Sequence, residues 1–188
     1  MTQALNSAIE LRIASAKKKL ANDYSKYVKN FSSPKMAISL EYASLLHALA
    51  SDIAIEKALD LGSGFSTFVL LDTDVEVFSF DHDDCWAKTT DRFIGKEGFV
   101  QTLDAFENFE EQVDLISCDT GGLQRRIDML PRCYELLAMG GCMLIDDMHK
   151  PKLRPIYGIL DDLGADLFDV KSYTLDRFGR FAVMAQKT

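Results

Sequence analysis

Five short apolar runs in this chain each end in a carboxylate: Asp60, Asp81, Asp104, Asp119 and the pair Asp146-Asp147. The first introduces Gly62-Ser63-Gly64-Phe65-Ser66-Thr67. That order reads as a buried strand, a tight glycine turn and the start of a helix. Glycines let the backbone pass close to a ligand where a Cβ would collide, and a helix start offers free N–H groups. Asp60 is placed to meet a cation or a hydrogen-bond donor. A turn built only for a pyrophosphate would not want that charge, so the residues point to a nucleoside-type ligand carrying a positive group. Several carboxylates gathered at one end of a sheet repel one another, and a ligand rich in hydroxyls, amino groups or positive charge relieves this. Asp81 lies seventeen positions after Gly64, a spacing that suits one carboxylate accepting from two ribose hydroxyls.

The elements that must hold these residues alternate. After a helical stretch over 3–30, with an apolar stripe at Leu5, Ile9, Ile13, Ala16, Leu20, Tyr24 and Tyr27, Ser33-Pro34 is expected to cap a second helix that runs to about Ala50. From Lys57 onward, strands are expected at 58–61, 75–80, 98–103, 113–118, 142–145, 168–173 and 181–185. Helices are expected at 66–71, 84–94, 124–139 and 153–163. This alternation implies an α/β fold, a doubly wound and mostly parallel sheet covered on both faces. The short link 175–180 makes the last two strands an antiparallel hairpin. Pro131 either kinks the 124–139 helix or marks its start. Residues 1–52 are expected to form a helical cap over the strand ends and 53–188 the ligand-binding domain, together one globular unit. The first helix could cover its own domain or a second copy, which leaves a homodimer open.

With 188 residues and 47% hydrophobic side chains, the chain suffices for one domain with a real core. A net charge of −8 argues against nucleic-acid partners, which need clustered Lys and Arg. Lys17-Lys18-Lys19 reads as a solvated helix face. No run approaches transmembrane length. Cys85, Cys118, Cys133 and Cys142 show no metal spacing and are read as reduced thiols, so a cytoplasmic setting without membrane contact is expected.

The segment from Ala58 to Lys187 resembles the class I S-adenosylmethionine-dependent methyltransferases. Leu59-Asp60-Leu61-Gly62-Ser63-Gly64 matches the first motif, and Leu136-Leu137-Ala138-Met139-Gly140-Gly141-Cys142-Met143-Leu144-Ile145-Asp146-Asp147 matches the fifth-strand signature. The resemblance implies a seven-stranded Rossmann-like sheet with an antiparallel last strand. It implies that Asp60, Gly62, Ser63 and Gly64 hold the methionine end of the cofactor and that Asp81 takes the ribose. His82 would lie beside the adenine, with Asp104-Ala105 at the adenine edge. Asp119 would order the cofactor's amino group or serve the acceptor.

Methyl transfer from a sulfonium rests on positioning, and a hydroxyl acceptor needs a base or a metal. Asp119, Asp146, Asp147 and His149 are the candidates. The Asp-Asp pair is similar to the catechol O-methyltransferase-like branch, which implies a divalent cation at Asp119 and Asp147. Met148 stands where that branch places an Asn, and a thioether is a poor ligand for a hard cation, so the metal stays open. Asp146 and Asp147 could instead be structural, and His149 could be a loop residue. Arg125, Arg126 and Arg154 could meet an acidic substrate or simply be exposed helix arginines. Ser39 and Tyr42 are candidate lid contacts, as are Tyr157 and the 173–180 segment on the other side. His47 is expected to pack or to sit at the surface of the second helix. The expected activity is methyl transfer to a small-molecule acceptor, on oxygen rather than nitrogen. A noncatalytic cofactor-binding module is one alternative. An NAD-dependent oxidoreductase is the other, although Thr67 occupies its third glycine position.

Overall fold

The structure, a computed structural model, describes residues 3–188, with side chains from residue 8 onward. The Leu5 side chain of the expected stripe lies outside the described residues. Helix α1 (Gln3–Asn30) buries Ala16, Leu20 and Tyr27, and Leu20 and Tyr27 share one core with α2 (Leu40–Ala50) and α3 (Phe65–Leu71). The stripe therefore covers this chain's own domain. Helix α2 begins at the Ser39 cap, whose Oγ accepts from the Tyr42 N–H at 2.9 Å, and not at Pro34. The residues before it form a turn, and Arg180 takes the carbonyls of Pro34, Lys35 and Ala37. Carbonyls facing that guanidinium are not available to a helix ladder.

The strands are β1 (Lys57–Leu61), β2 (Glu76–Asp81), β3 (Gln101–Thr102), β4 (Val113–Cys118), β5 (Leu137–Ile145), β6 (Asp166–Asp169) and β7 (Val183–Gln186). They form one sheet in the order β3-β2-β1-β4-β5-β7-β6. All neighbours run parallel except β7, which is antiparallel to both β5 and β6. Strand alternation splits the core between the two faces. Leu59, Leu61, Ile116, Cys118, Met143 and Ile145 face α6 (Leu123–Leu136) and α7 (Pro155–Asp162), whereas Ala58, Leu115, Cys142 and Leu144 face α1 to α3. The N-terminal helices are thus built into the sheet's second core, and β1 and β4 flank the point where strand order reverses.

Several boundaries differ from expectation for local reasons. Strand β3 is short because Asp91 of α4 (Asp84–Ile94) takes the N–H groups of Gly98 and Val100 at 2.7 and 3.0 Å. Leu103 then enters a short helix, α5 (Leu103–Phe106). Helix α6 stops at Leu136 because Lys187 Nζ donates to the carbonyls of Tyr134, Glu135 and Leu137, and the chain continues directly into β5. Pro131 lies inside α6. Strand β6 ends at Asp169, and the link to β7 holds a further short helix, α8 (Lys171–Thr174). Among the described residues no helix is long and apolar enough to cross a membrane.

Candidate functional site

The turn after β1 is held by the chain itself. A Cβ on Gly62, at φ +98°, would lie 2.5 Å from the backbone of Asp119 and Thr120, and one on Gly64 would lie 2.9 Å from Tyr27 Oη. The glycines therefore serve close passage of backbone past backbone and past a tyrosine, and both also line the cavity. Asp60 departs from expectation. It is 0% exposed beneath the turn and does not line the cavity. Its Oδ2 accepts from Thr67 Oγ1 at 2.6 Å and Ser79 Oγ at 3.2 Å, and Thr67 Oγ1 in turn accepts the Gly64 N–H at 3.0 Å. Asp60 is the footing of the turn. Burial pushes its carboxyl up to about 7 against these hydroxyls, and its Oδ1 has no partner.

Asp81 closes β2 beside that turn. Its Oδ2 accepts the Ser63 N–H at 2.7 Å and Ser63 Oγ at 2.9 Å, and its Oδ1 accepts the Asp83 N–H at 3.0 Å. A carboxylate has about four acceptor positions, so Asp81 retains capacity towards the cavity it lines. His82 Nδ1 stands 3.2 Å from Asp81 Oδ1. Gly121 lies against the His82 ring so closely that a Cβ there would fall 2.2 Å from Cε1, which joins the loops after β2 and β4. Trp86 donates from Nε1 to the Ser63 carbonyl at 2.6 Å and lines the same wall with Tyr27.

The ends of β4 and β5 meet around Arg126. This residue of α6 is 5% exposed. It donates to the carbonyl of Thr120 at 2.6 Å and to those of Asp119 and Asp146 at 3.2 Å. Its Nη2 also stands 2.6 Å from Asp119 Oδ1, and its Nη1 3.4 Å from Asp147 Oδ2. Lys150 Nζ pairs with the same Asp147 oxygen. Burial pushes Asp119 up to about 6, opposed by Arg126 and reinforced by Asp147. Asp146 is pushed well up by burial and by Asp119 and Asp147. It faces away from the cavity, and its Oδ1 accepts the Asp147 N–H at 2.7 Å. Asp147 holds φ +65°, a conformation rare outside glycine, and its carboxylate faces the cavity. His149 lines that cavity too. Its buried Nδ1, without a hydrogen bond, is 3.7 Å from Asp147 Oδ1.

One cavity of about 760 Å³ therefore gathers Gly62, Ser63, Gly64, Asp81, His82, Asp119, Asp147 and His149. Asp104 is elsewhere. It is exposed on α5 and lines a neighbouring cavity with Asp81, His82 and Arg125, whereas Ala105 lines neither and packs on the sheet core. The five strand-end carboxylates are thus not one array around a ligand. Thr67, Ser79, Ser63, Arg126 and Lys150 relieve their charge.

Of the expected lid contacts, the 173–180 segment reaches the cavity and the others do not. Ser39 caps α2, and Tyr42 is fully buried, with its hydroxyl on Ser117 and on the Leu144 carbonyl. Residues 35–38 and the Phe178–Arg180 side close the mouth, while Tyr157 stays outside. His47 lies at the α2 surface against Asp72, as expected. Tyr27, Trp86, Lys35 and Lys150 line the site without a sequence signal, and Arg126, which the sequence offered as a substrate contact or an exposed helix arginine, is its buried centre.

A divalent cation does not fit these residues. Met148 is 4% exposed in the core, its N–H donating to the Phe181 carbonyl at 2.9 Å, and the two carboxylates already face fixed cations. Among the described residues no group of three or more His, Cys, Asp or Glu could hold a metal.

No protein-family model matches the chain, and no curated protein sequence matches it. Solved structures do. Cofactor-bound Rv0187 from MTB aligns over 99% of this chain and 90% of its own, with a TM-score of 0.66 and 17% identity. A SAM-dependent O-methyltransferase from Thermotoga maritima aligns over 81% of this chain and 67% of its own, with a TM-score of 0.62 and 18% identity. An rRNA methylase from Streptococcus thermophilus aligns over 75% of this chain and 93% of its own, with a TM-score of 0.52 and 16% identity. With its seven-stranded sheet, reversed β7 and glycine turn after β1, the chain has the fold of the class I S-adenosylmethionine-dependent methyltransferases.

Proposed function

We propose that this protein transfers a methyl group from S-adenosylmethionine to a small-molecule acceptor, at oxygen. The observation that carries the reading is the single cavity that the Gly62–Gly64 turn, Asp81, Asp119 and Asp147 line together at the β1/β4 switch point. Its volume of about 760 Å³ lies within the range of small-molecule sites. The likeness to SAM-dependent enzymes of this fold supports the same reading.

The residues fit the cofactor. Asp81 keeps one acceptor position for a ribose hydroxyl, Ser63 and the turn backbone suit the methionine end, and His82 with Gly121 forms a flat wall for a base. When bound, the cofactor supplies a sulfonium methyl. Held near it, an acceptor hydroxyl needs a group to take its proton. His149 is that base in our reading, with Nδ1 turned to Asp147 and Nε2 left for the acceptor. Asp147 Oδ1 stands 3.7 Å from the ring as its nearest carboxylate, and Asp119 fixes the loop after β4 through Arg126. The lid of residues 35–38 with Phe178 and the net charge of −8 favour a small acceptor over RNA. Four free thiols, three of them buried, suit a cytoplasmic protein.

A second reading, a noncatalytic binder of the same cofactor, is favoured by one observation: Asp119 and Asp147 are already ion-paired. Calorimetry with S-adenosylmethionine tests both. Wild type should bind, and Asp81→Ala should weaken binding about 10- to 100-fold, the worth of hydrogen bonds to a charged group. No binding by wild type removes both readings. Binding without S-adenosylhomocysteine release across a broad panel of hydroxyl acceptors leaves the second.

A further inference from the structure

Arg126 and Lys150 stand against Asp119 and Asp147 in a way that bears on the acceptor. A divalent ion between Asp119 and Asp147 would neutralise these two strand-end carboxylates with its two positive charges. Here the two positive charges are covalently part of the chain. Arg126 meets Asp119 Oδ1 at 2.6 Å and Asp147 Oδ2 at 3.4 Å, and Lys150 meets Asp147 Oδ2 from the other side. The guanidinium cannot swing away, because three backbone carbonyls hold it. Met148, the residue after this pair, turns into the core and offers no oxygen. Asp147 itself holds a strained φ of +65°.

We propose that Arg126 and Lys150 take, as fixed side chains, the place of a divalent cation between Asp119 and Asp147, so that the site works without metal on acceptors that need not chelate. A bound metal exposes exchangeable coordination positions and grips two neighbouring oxygens of a diol. Arg126 has no such position, since its donors are engaged by the protein. Lys150 keeps donors free, because one contact with Asp147 leaves capacity on an ammonium with three N–H groups. The acceptor is then a molecule with a single reacting hydroxyl, steadied by one hydrogen bond from Lys150. The part about the acceptor rests on the methyl-transfer reading, whereas the part about the metal does not.

The test is a Mn²⁺ titration of the whole protein, read from the paramagnetic resonance of the free ion, on wild type, Asp147→Asn, Lys150→Ala and Lys150→Ala/Asp147→Asn. Wild type and Asp147→Asn should take up Mn²⁺ alike, whether through scattered surface carboxylates or not at all. Lys150→Ala, a half-exposed position that should fold, leaves Asp147 only its 3.4 Å contact with Arg126 and should bind one ion at least ~10-fold more tightly than wild type. The double variant should lose that gain. A wild-type ion lost on Asp147→Asn overturns the proposal, and so does a folded Lys150→Ala that binds no better than wild type. These readouts do not involve S-adenosylmethionine, so a failure of cofactor binding and a failure of this proposal are distinguishable.

Discussion

Replacing Arg126 with Met keeps much of the side chain's volume and removes its charge. The guanidinium is buried, donates to three carbonyls and faces two carboxylates. Breaking a buried pair by deleting one partner costs about 3–5 kcal/mol, because the remaining charge is left uncompensated. In a chain of this size each kcal/mol lowers the melting temperature by about 2–4 °C, so Arg126→Met should melt about 6–20 °C below wild type. Circular dichroism on heating measures this. Part of the loss comes from the carbonyls and cannot be recovered. The rest comes from Asp119, so adding Asp119→Asn should return at least ~1 kcal/mol relative to the sum of the two single variants. Additivity within ~0.5 kcal/mol, or an Arg126→Met loss under ~1 kcal/mol, would refute the reasoning that this arginine is the site's counter-ion.

Gly62→Ala sets a methyl 2.5 Å from the Asp119–Thr120 backbone at φ +98°. It should cost about 3 kcal/mol or more, seen as a fall of several degrees in melting temperature, and a neutral substitution would contradict the close packing of β1 against β4. Asp60, held at about 7 by burial, keeps a proton in the native state that the unfolded chain releases near pH 4. Its contribution is therefore full below pH 4 and is lost as pH rises to about 7, a swing on the order of 4 kcal/mol. Asp60→Asn removes that slope, so the melting temperature of the variant minus that of wild type should climb across pH 4–7; parallel curves would contradict it. His149→Gln should lower methyl transfer about 10²- to 10⁴-fold with cofactor affinity unchanged in calorimetry, and an equal loss of both would make His149 a structural residue.

Much of the scaffold is legible because short apolar runs ending in a carboxylate signal parallel strands directly. Helix α4 and the paired strands β1 and β4 follow from that pattern. Where the sequence misled, side chains from distant segments had claimed the backbone: Asp91 shortens β3, Lys187 ends α6 and Arg180 keeps residues 34–37 out of α2. The site shows the same division. Asp81 and Asp119 are visible from spacing, but the role of Asp60 is not, since the hydroxyls of Thr67 and Ser79 reach it only once β1 and β2 pair. Arg126 could not be told from Arg125 and Arg154 because its burial depends on where α6 crosses the ends of β4 and β5. Met148 looked like a lost ligand, and the structure makes it a core residue whose partners are apolar.

The central claim is that one cavity holds the cofactor, and a crystal structure with S-adenosylhomocysteine tests it most directly. Density should run from the Gly62–Gly64 turn to Asp81, with no metal peak between Asp119 and Asp147. Cofactor density elsewhere on the molecule, or none at saturating concentration, would contradict the account.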